Sequence, residues 1–385
     1  MKTQKSAPLY LLLKELQMNK SIFHRIAILM MVSWIISIPG FSQSYSKQRD
    51  VGKSFKVQAG AVVQLTNKYG NINIIPWQKD SVRVEVHMSV QGKQMAKVDK
   101  IMSSVDFEMM SFGNFINART IFRDNQATFW KDVVSYASQV INTSNNLQID
   151  YTVYMPSALD LKIDNKFGNV YTESHSGKVE VKLANGDFQA RDFEGTLKLY
   201  IEFGSATLRD VNQANLDINY SDLTLNNAVS LTLNSRSSTI DIEKAKTIEL
   251  SSHRDKLNLK ECNSLNGDAS FSKIRIAELE SGTTLTTKYG EFKANNISRS
   301  FRNIHLTSEY TDLLLNFDPS CSFILDLSYD AKTKLNLSPS LASQLRKELL
   351  NPQAGTVNAN ATIGKAATSL VYVNALSGSI TIFNK

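Results

Sequence analysis

The sequence predicts an all-β chain: a single-domain parallel β-helix, a right-handed solenoid with 17 or 18 residues per coil, carrying a small helical insertion. Three observations lead there. Apolar and polar residues alternate in short segments, the segments recur at a near-constant spacing, and a turn rich in Gly, Ser, Asp or Asn separates them. Period-2 alternation marks a strand with one buried face, and a fixed spacing stacks such strands in one register.

The register is read from short groups at each turn. Lys166-Phe167-Gly168-Asn169-Val170 is the first of an unbroken series, and Glu309-Tyr310-Thr311-Asp312-Leu313 ends it. The last residue of each group forms the column Val170, Phe188, Ala206, Leu223, Ile240, Leu257, Ile274, Phe292 and Leu313, with spacings of 18, 18, 17, 17, 17, 17, 18 and 21. Two residues on, a second column runs Thr172, Ala190, Leu208, Leu225, Ile242, Leu259, Ile276, Ala294 and Leu315. Each coil also holds an earlier alternating strand, such as Val179–Leu183 or Leu197–Ile201. No coil can bury its own face, so neighbours must stack. The same-direction return makes the strands parallel, and the handedness of parallel crossovers predicts a right-handed helix.

The turn residues suit positive φ. Just before them stand Phe167, Phe203, Tyr220, Phe271, Tyr289 and Tyr310, interrupted by Asn185, Ser237 and Arg254. Two readings are open, a carbohydrate-stacking ladder or aromatics that seal a corner of the core. The interruptions favour the packing role.

At the N-terminus, Lys20 and Arg25 precede an apolar run, Ile26–Pro39, and Gly40-Phe41-Ser42 then places small residues at a cleavage site before Gln43. This pattern predicts a signal peptide over residues 1–42, too short for a membrane span, with no transmembrane anchor after cleavage. Met18 opens a more conventional leader, an alternative start that would make residues 1–17 an artefact. The β-solenoid domain then occupies 43–385, with its insertion at 93–146. Lys68–Ile74 and Val82–Val86 read as the start of the solenoid. Within the insertion, 93–104 and 128–141 read as helices and 105–122 as a hairpin. An excursion from a regular solenoid caps an end or makes a binding surface, so Phe129, Trp130 and Tyr136 are the candidate partner contacts. Near the C-terminus, Leu341–Leu350 reads as a short helix, and Ser369–Val373 with Gly378–Ile382 as a last coil.

Composition narrows the function classes. The chain carries a formal charge of +7, of which the leader holds +4, leaving +3. That small excess, interleaved with acids, excludes a nucleic-acid groove. Five scattered histidines and two cysteines offer no metal-ligand spacing. Cys262 and Cys321 stand more than three coils apart, roughly 14 Å at the ~4.8 Å strand spacing, beyond the reach of a disulfide. They are expected to be unpaired and buried.

The segments "KYGNINI…W…DSVRVEV", "IDYTVYMP…LDLKIDNKFGNV" and the terminal "SGSITI" resemble the putative adhesin family of bacterial cell-envelope β-solenoids, over Val62–Val86 and Leu147–Lys385. The resemblance implies a periplasmic, surface or secreted location and an adhesive or scaffolding role. It supplies no catalytic, cofactor-binding or metal residues. The expected function is therefore a non-catalytic envelope protein that presents a rigid surface to a protein or polysaccharide partner, with no cofactor. The alternative is a polysaccharide lyase or glycoside hydrolase built on a β-helix. For that, Asp187, Asp222, Glu291 and Asp312 are the acids at equivalent corners, separated by Ser205, Thr239, Lys256 and Lys273 except across the 21-residue coil from Glu291 to Asp312, whereas hydrolysis needs two positioned carboxylates.

Overall fold

Strands carry the chain almost throughout the computed structural model, which describes Arg25 and residues 44–123, 147–351, 355–365 and 367–384, with backbone alone at 349–351. The predicted leader, the helix at 128–141 and the three residues Phe129, Trp130 and Tyr136 lie outside the described residues. The chain divides into two units, Met1–Tyr45 and Ser46–Lys385, and the strands from Ser46 onward build the second. The first part comprises β1 (Tyr45–Lys56), β2 (Val62–Lys68), β3 (Ile72–Pro76), β4 (Ser81–Gly92), helix α1 (Met95–Ser104), β5 (Val105–Phe112), β6 (Phe115–Phe122) and β7 (Leu147–Met155). The repeats follow as β8 (Asp160–Lys166), β9 (Val170–Thr172), β10 (Val179–Ala184), β11 (Asp187–Glu202), β12 (Ser205–Asn219), β13 (Asp222–Arg236), β14 (Thr239–His253), β15 (Lys256–Ser270), β16 (Lys273–Lys288), β17 (Glu291–Ile297) and β18 (Asn303–Phe317). The chain ends with β19 (Phe323–Tyr329), β20 (Lys334–Leu337), helix α2 (Pro339–Ala342), β21 (Arg346–Asn351), β22 (Thr356–Ile363) and β23 (Ser369–Asn384).

These strands join in one sheet, mostly by parallel pairing. Two ladders run through it. The residues before each turn pair from β2 to β8, β10 and the second halves of β11 to β16. The residues after each turn pair from β3 to β9 and the first halves of β11 to β16, then to β17 and β18. The predicted column is matched residue for residue: Val170 faces Phe188, Phe188 faces Ala206, and so on to Phe292 facing Leu313. The eighteenth residue of a longer repeat is absorbed in a register shift, between Phe193 and Thr196 in β11 and between Leu279 and Gly282 in β16, opposite Cys262 and Ser264.

Alternation sets the burial. In β13, Leu223, Leu225, Leu231 and Leu233 are buried while Thr224, Thr232 and Asn234 face out. Inward residues from both ladders belong to one continuous core. Each buried Leu or Ile contributes about 1.5–3 kcal/mol, and no repeat can bury its faces without its neighbours. Cys262 and Cys321 are free and buried in this core. Burial pushes the Cys262 thiol up to about 12 and the Cys321 thiol up to about 11, so neither is a ready nucleophile.

The two ends depart from sequential order. At the start, β6 pairs in parallel with β2, and β7 with β3, so later chain lies ahead of the first repeat. The helix and hairpin expected at 93–104 and 105–122 are present as α1 and the antiparallel β5–β6 pair. Val82–Val86, expected to open the solenoid, instead lies in β4, antiparallel to β7. That pairing closes the sheet end with strands of opposite direction. At the other end, β23 pairs along both ladders with β18, and its far edge pairs with β19 and β20. The last repeat in sequence is thus interior in space. The helix expected at Leu341–Leu350 shrinks to α2, and Arg346–Asn351 forms β21 against β22. Its apolar spacing suits a helix, but strand pairing along the edge satisfies its backbone groups and wins.

Candidate functional site

The turn between the two ladders is the most regular feature on the outside of the molecule. Its first residue has positive φ in every repeat: Tyr69, Phe167, Asn185, Phe203, Tyr220, Ser237, Arg254, Phe271, Tyr289, Tyr310 and Ser377 lie between 48° and 67°. For a residue other than glycine this left-handed conformation costs about 1–2 kcal/mol, least for Asn and Asp. The second residue explains why the turn is so sharp. A Cβ on Gly168 would sit 2.0 Å from the Gly70 carbonyl oxygen, so backbones of neighbouring repeats touch there.

Positive φ throws the first side chain outward. Phe167, Phe203, Tyr220, Phe271, Tyr289 and Tyr310 are 47–53% exposed. The expectation that these aromatics seal a corner of the core is therefore wrong, because the backbone at this corner aims them at solvent. Instead they stack on one another. Tyr69 and Phe167 lie 5.5 Å apart at 12°, Phe203 and Tyr220 5.3 Å apart at 14°, Phe271 and Tyr289 5.0 Å apart at 10°, and Tyr289 and Tyr310 5.1 Å apart at 3°. Cations flank the stacks: Lys68 Nζ lies 4.7 Å from the Tyr69 centroid and Arg254 Cζ 5.9 Å from that of Phe271. Ring faces inside a stack are covered by neighbouring rings, which leaves their edges outward.

Beneath the rings, the second turn residue builds a buried polar ladder where glycine is absent. Ser221, Ser238, Asp255 and Ser272 are all buried. Ser221 N–H donates to Ser238 Oγ (3.2 Å), Ser238 N–H to Asp255 Oδ1 (2.8 Å), and Asp255 N–H to Ser272 Oγ (3.1 Å). Asp255 Oδ2 also accepts from Ser235 Oγ (2.7 Å), Ser252 Oγ (2.6 Å) and His253 N–H (2.9 Å). The carboxylate is thereby satisfied without a cation, as a buried charge must be.

Three of the four corner acids are engaged by neighbouring side chains, and two of the four, Glu291 and Asp312, pair in register. Ser205 N–H and Oγ–H donate to Asp187 Oδ1 at 3.0 and 2.7 Å, and Ser379 Oγ–H donates to Asp312 at 2.6 Å. Glu291 is held by Arg275 (3.0 Å) and Lys293 (2.6 Å). Burial acts to raise its carboxyl, but the two cations outweigh it and leave it below the usual carboxylate range. Asp222 stands in register between Ser205 and Thr239. Among the described residues no three His, Cys, Asp or Glu side chains gather as a metal site.

No family model and no curated protein matches the chain. Several solved structures show likenesses. A putative cell adhesion protein from Clostridium sporogenes is 10% identical with a TM-score of 0.19, covering 88% of this chain and 100% of that one. A putative adhesin from Bacteroides fragilis is 10% identical with a TM-score of 0.30, covering 69% of this chain and 97% of that one. Neither superposition is close enough to bear on fold or role.

Two exposed features escape a reading of the sequence. The outward direction of the aromatic column depends on the sign of φ, which alternation does not encode. The hairpin tip at Phe112 is 86% exposed, and its signal was the Gly113-Asn114 turn set between two phenylalanines. Among the described residues no helix is long and apolar enough to cross a membrane.

Proposed function

We propose that the chain is an exported, non-catalytic protein of the bacterial envelope, adhesin-like, whose two ladders are the walls of one right-handed β-solenoid displaying a binding strip. The observation that carries this reading is the outward aromatic column. Asn185 and Ser237 occupy the same turn, so the fold does not require an aromatic there. Six half-exposed rings in a costly backbone conformation serve something beyond packing, and strained positions of this kind concentrate where proteins bind. The non-catalytic reading is supported by the ties on the acids: Ser205 holds Asp187, and in the in-register pair Glu291 and Asp312 the first is held by Arg275 and Lys293 and the second by Ser379. The sequence motifs shared with envelope solenoids support the location.

The test uses the full chain immobilised against an envelope extract, beside a variant carrying Phe271→Asn, Tyr289→Asn and Tyr310→Asn. Asparagine tolerates the left-handed turn, so the variant should fold with an unchanged circular dichroism spectrum. The wild type should retain an envelope protein or polysaccharide, and the variant should lose it. Equal retention by both would remove the column from the function, and turnover of any bound glycan would overturn the non-catalytic reading.

A further inference from the structure

The interruptions of the aromatic column are themselves informative. Inside a stack each ring face is covered by the next ring, so free faces occur only where a ring is missing. At Asn185 the gap has an aromatic wall on both sides, Phe167 before it and Phe203 after it. Each wall is backed by a second ring, Tyr69 behind Phe167 and Tyr220 behind Phe203.

The three turns share one geometry. Phe167, Asn185 and Phe203 have φ of 59°, 57° and 57°. Their N–H groups donate to the following repeat in the same way, Phe167 to Ala184, Asn185 to Glu202 and Phe203 to Asn219. The glycines behind them stack in close contact, since a Cβ on Gly186 would lie 2.2 Å from the Gly168 oxygen and one on Gly204 1.9 Å from that of Gly186. Side chains leave such turns in parallel. At ~4.8 Å per strand, the two walls stand roughly 10 Å apart. A flat ring midway would meet each wall at about the 5.0–5.5 Å at which this protein stacks its own rings.

We infer that the gap at Asn185 is a slot for one pyranose ring of a polysaccharide. This deepens the proposed binding role and rests on it. A pyranose with equatorial hydroxyls has two apolar C–H faces and a polar rim. That matches two aromatic walls over a floor made by the Asn185 amide, with Glu202 beside it. The Asn185 side chain is exposed and makes no hydrogen bond among the described residues. A partner's phenyl ring would fill the same width but would desolvate the amide without bonding to it. The gap at Ser237 differs, because Arg254 rather than a ring forms its far wall.

The probe is cellohexaose, titrated calorimetrically into the full chain, with a β-1,4-linked mannohexaose as comparison. An axial hydroxyl on each mannose blocks one ring face. Asn185→Phe restores the missing rung with a residue this turn already accepts at Phe203, and Phe203→Asn removes a wall; circular dichroism checks that both fold. Saturable cellohexaose binding is expected in the wild type, with mannohexaose several-fold weaker. Each variant should weaken cellohexaose at least tenfold, and Ser237→Phe should leave it unchanged. Absence of saturable binding, equal affinity in Asn185→Phe, or uptake of p-cresol in place of the sugar would each overturn the slot. Since the variants of the proposed function lie at Phe271, Tyr289 and Tyr310, failure at Asn185 leaves that reading standing.

Discussion

Replacing Asp255 tests the buried polar ladder most directly. Its carboxylate accepts two backbone N–H groups, from Ser238 at 2.8 Å and His253 at 2.9 Å, and two hydroxyls, from Ser235 and Ser252. In Asp255→Ala the Ser252 hydroxyl has an outlet, since its Oγ already reaches Ser272 Oγ at 2.9 Å, and His253 lies in the β13–β14 ladder opposite Arg236. The Ser238 amide and the Ser235 hydroxyl have no other acceptor among the described residues. Each orphaned buried donor costs about 1–3 kcal/mol, so the loss should be roughly 2–6 kcal/mol, reduced by whatever the buried carboxylate itself cost to desolvate. Asp255→Ser should cost clearly less. A serine hydroxyl there can accept from Ser238 N–H as Ser238 Oγ accepts from Ser221, leaving only the Ser235 hydroxyl bare. Urea unfolding ranks the two variants, and hydrogen exchange at the Ser238 amide locates the damage. Equal stability of Asp255→Ala and Asp255→Ser, or unchanged protection at the Ser238 amide in Asp255→Ala, would refute the reasoning.

Three further outcomes follow from particular contacts. Gly168→Ala should destabilise by about 1–3 kcal/mol, because its Cβ would stand 2.0 Å from a backbone oxygen, whereas Gly52→Ala, with its nearest contact at 3.7 Å, should be near neutral in the same urea titration. His175 is buried, with Nε2–H donating to the Leu159 carbonyl at 2.6 Å and Nδ1 without a hydrogen-bond partner among the described residues; burial lowers its pKa from the ordinary 6.5, against the pull of Leu159 and Asp160. The unfolded chain then takes up the proton more readily, so this stability is fully present above pH 6.5 and is lost as pH falls through the folded value; His175→Asn should flatten the pH dependence of unfolding below 6.5, and an unchanged slope would count against it. Ending the chain at Gly364 removes the strand seated between β18 and β19, so exchange protection should collapse across 303–337 but persist across 205–253, and adding the peptide 369–384 should restore it; intact protection at 303–337 without the peptide would contradict the interior placement of β23.

The repeat itself was open to a reader of the sequence. Val170 to Leu313 pair in the predicted column because a period of 17 or 18 residues is a one-dimensional signal, and each repeat has only its neighbours to bury against. The helix of α1 and the β5–β6 hairpin were legible for the same local reason, their alternation and turn residues lying within a few positions. Leu341–Leu350 was misread because an apolar spacing near four residues satisfies a helix, while the partner that makes Arg346–Asn351 a strand lies elsewhere in the chain.

Tertiary structure alone decided two matters. The placement of β6 and β7 ahead of β2 and β3, and of β23 between β18 and β19, sets strands side by side that share no sequence period, so no spacing could announce them. The direction of the aromatic column was decided by eleven stacked turns at positive φ; alternation says which residues share a face, but the sign of one torsion decides whether a turn residue seals the core or faces water. The slot at Asn185 followed from both. The sequence showed the interruption, and the stacking of the flanking rings made that interruption the place where aromatic faces are free.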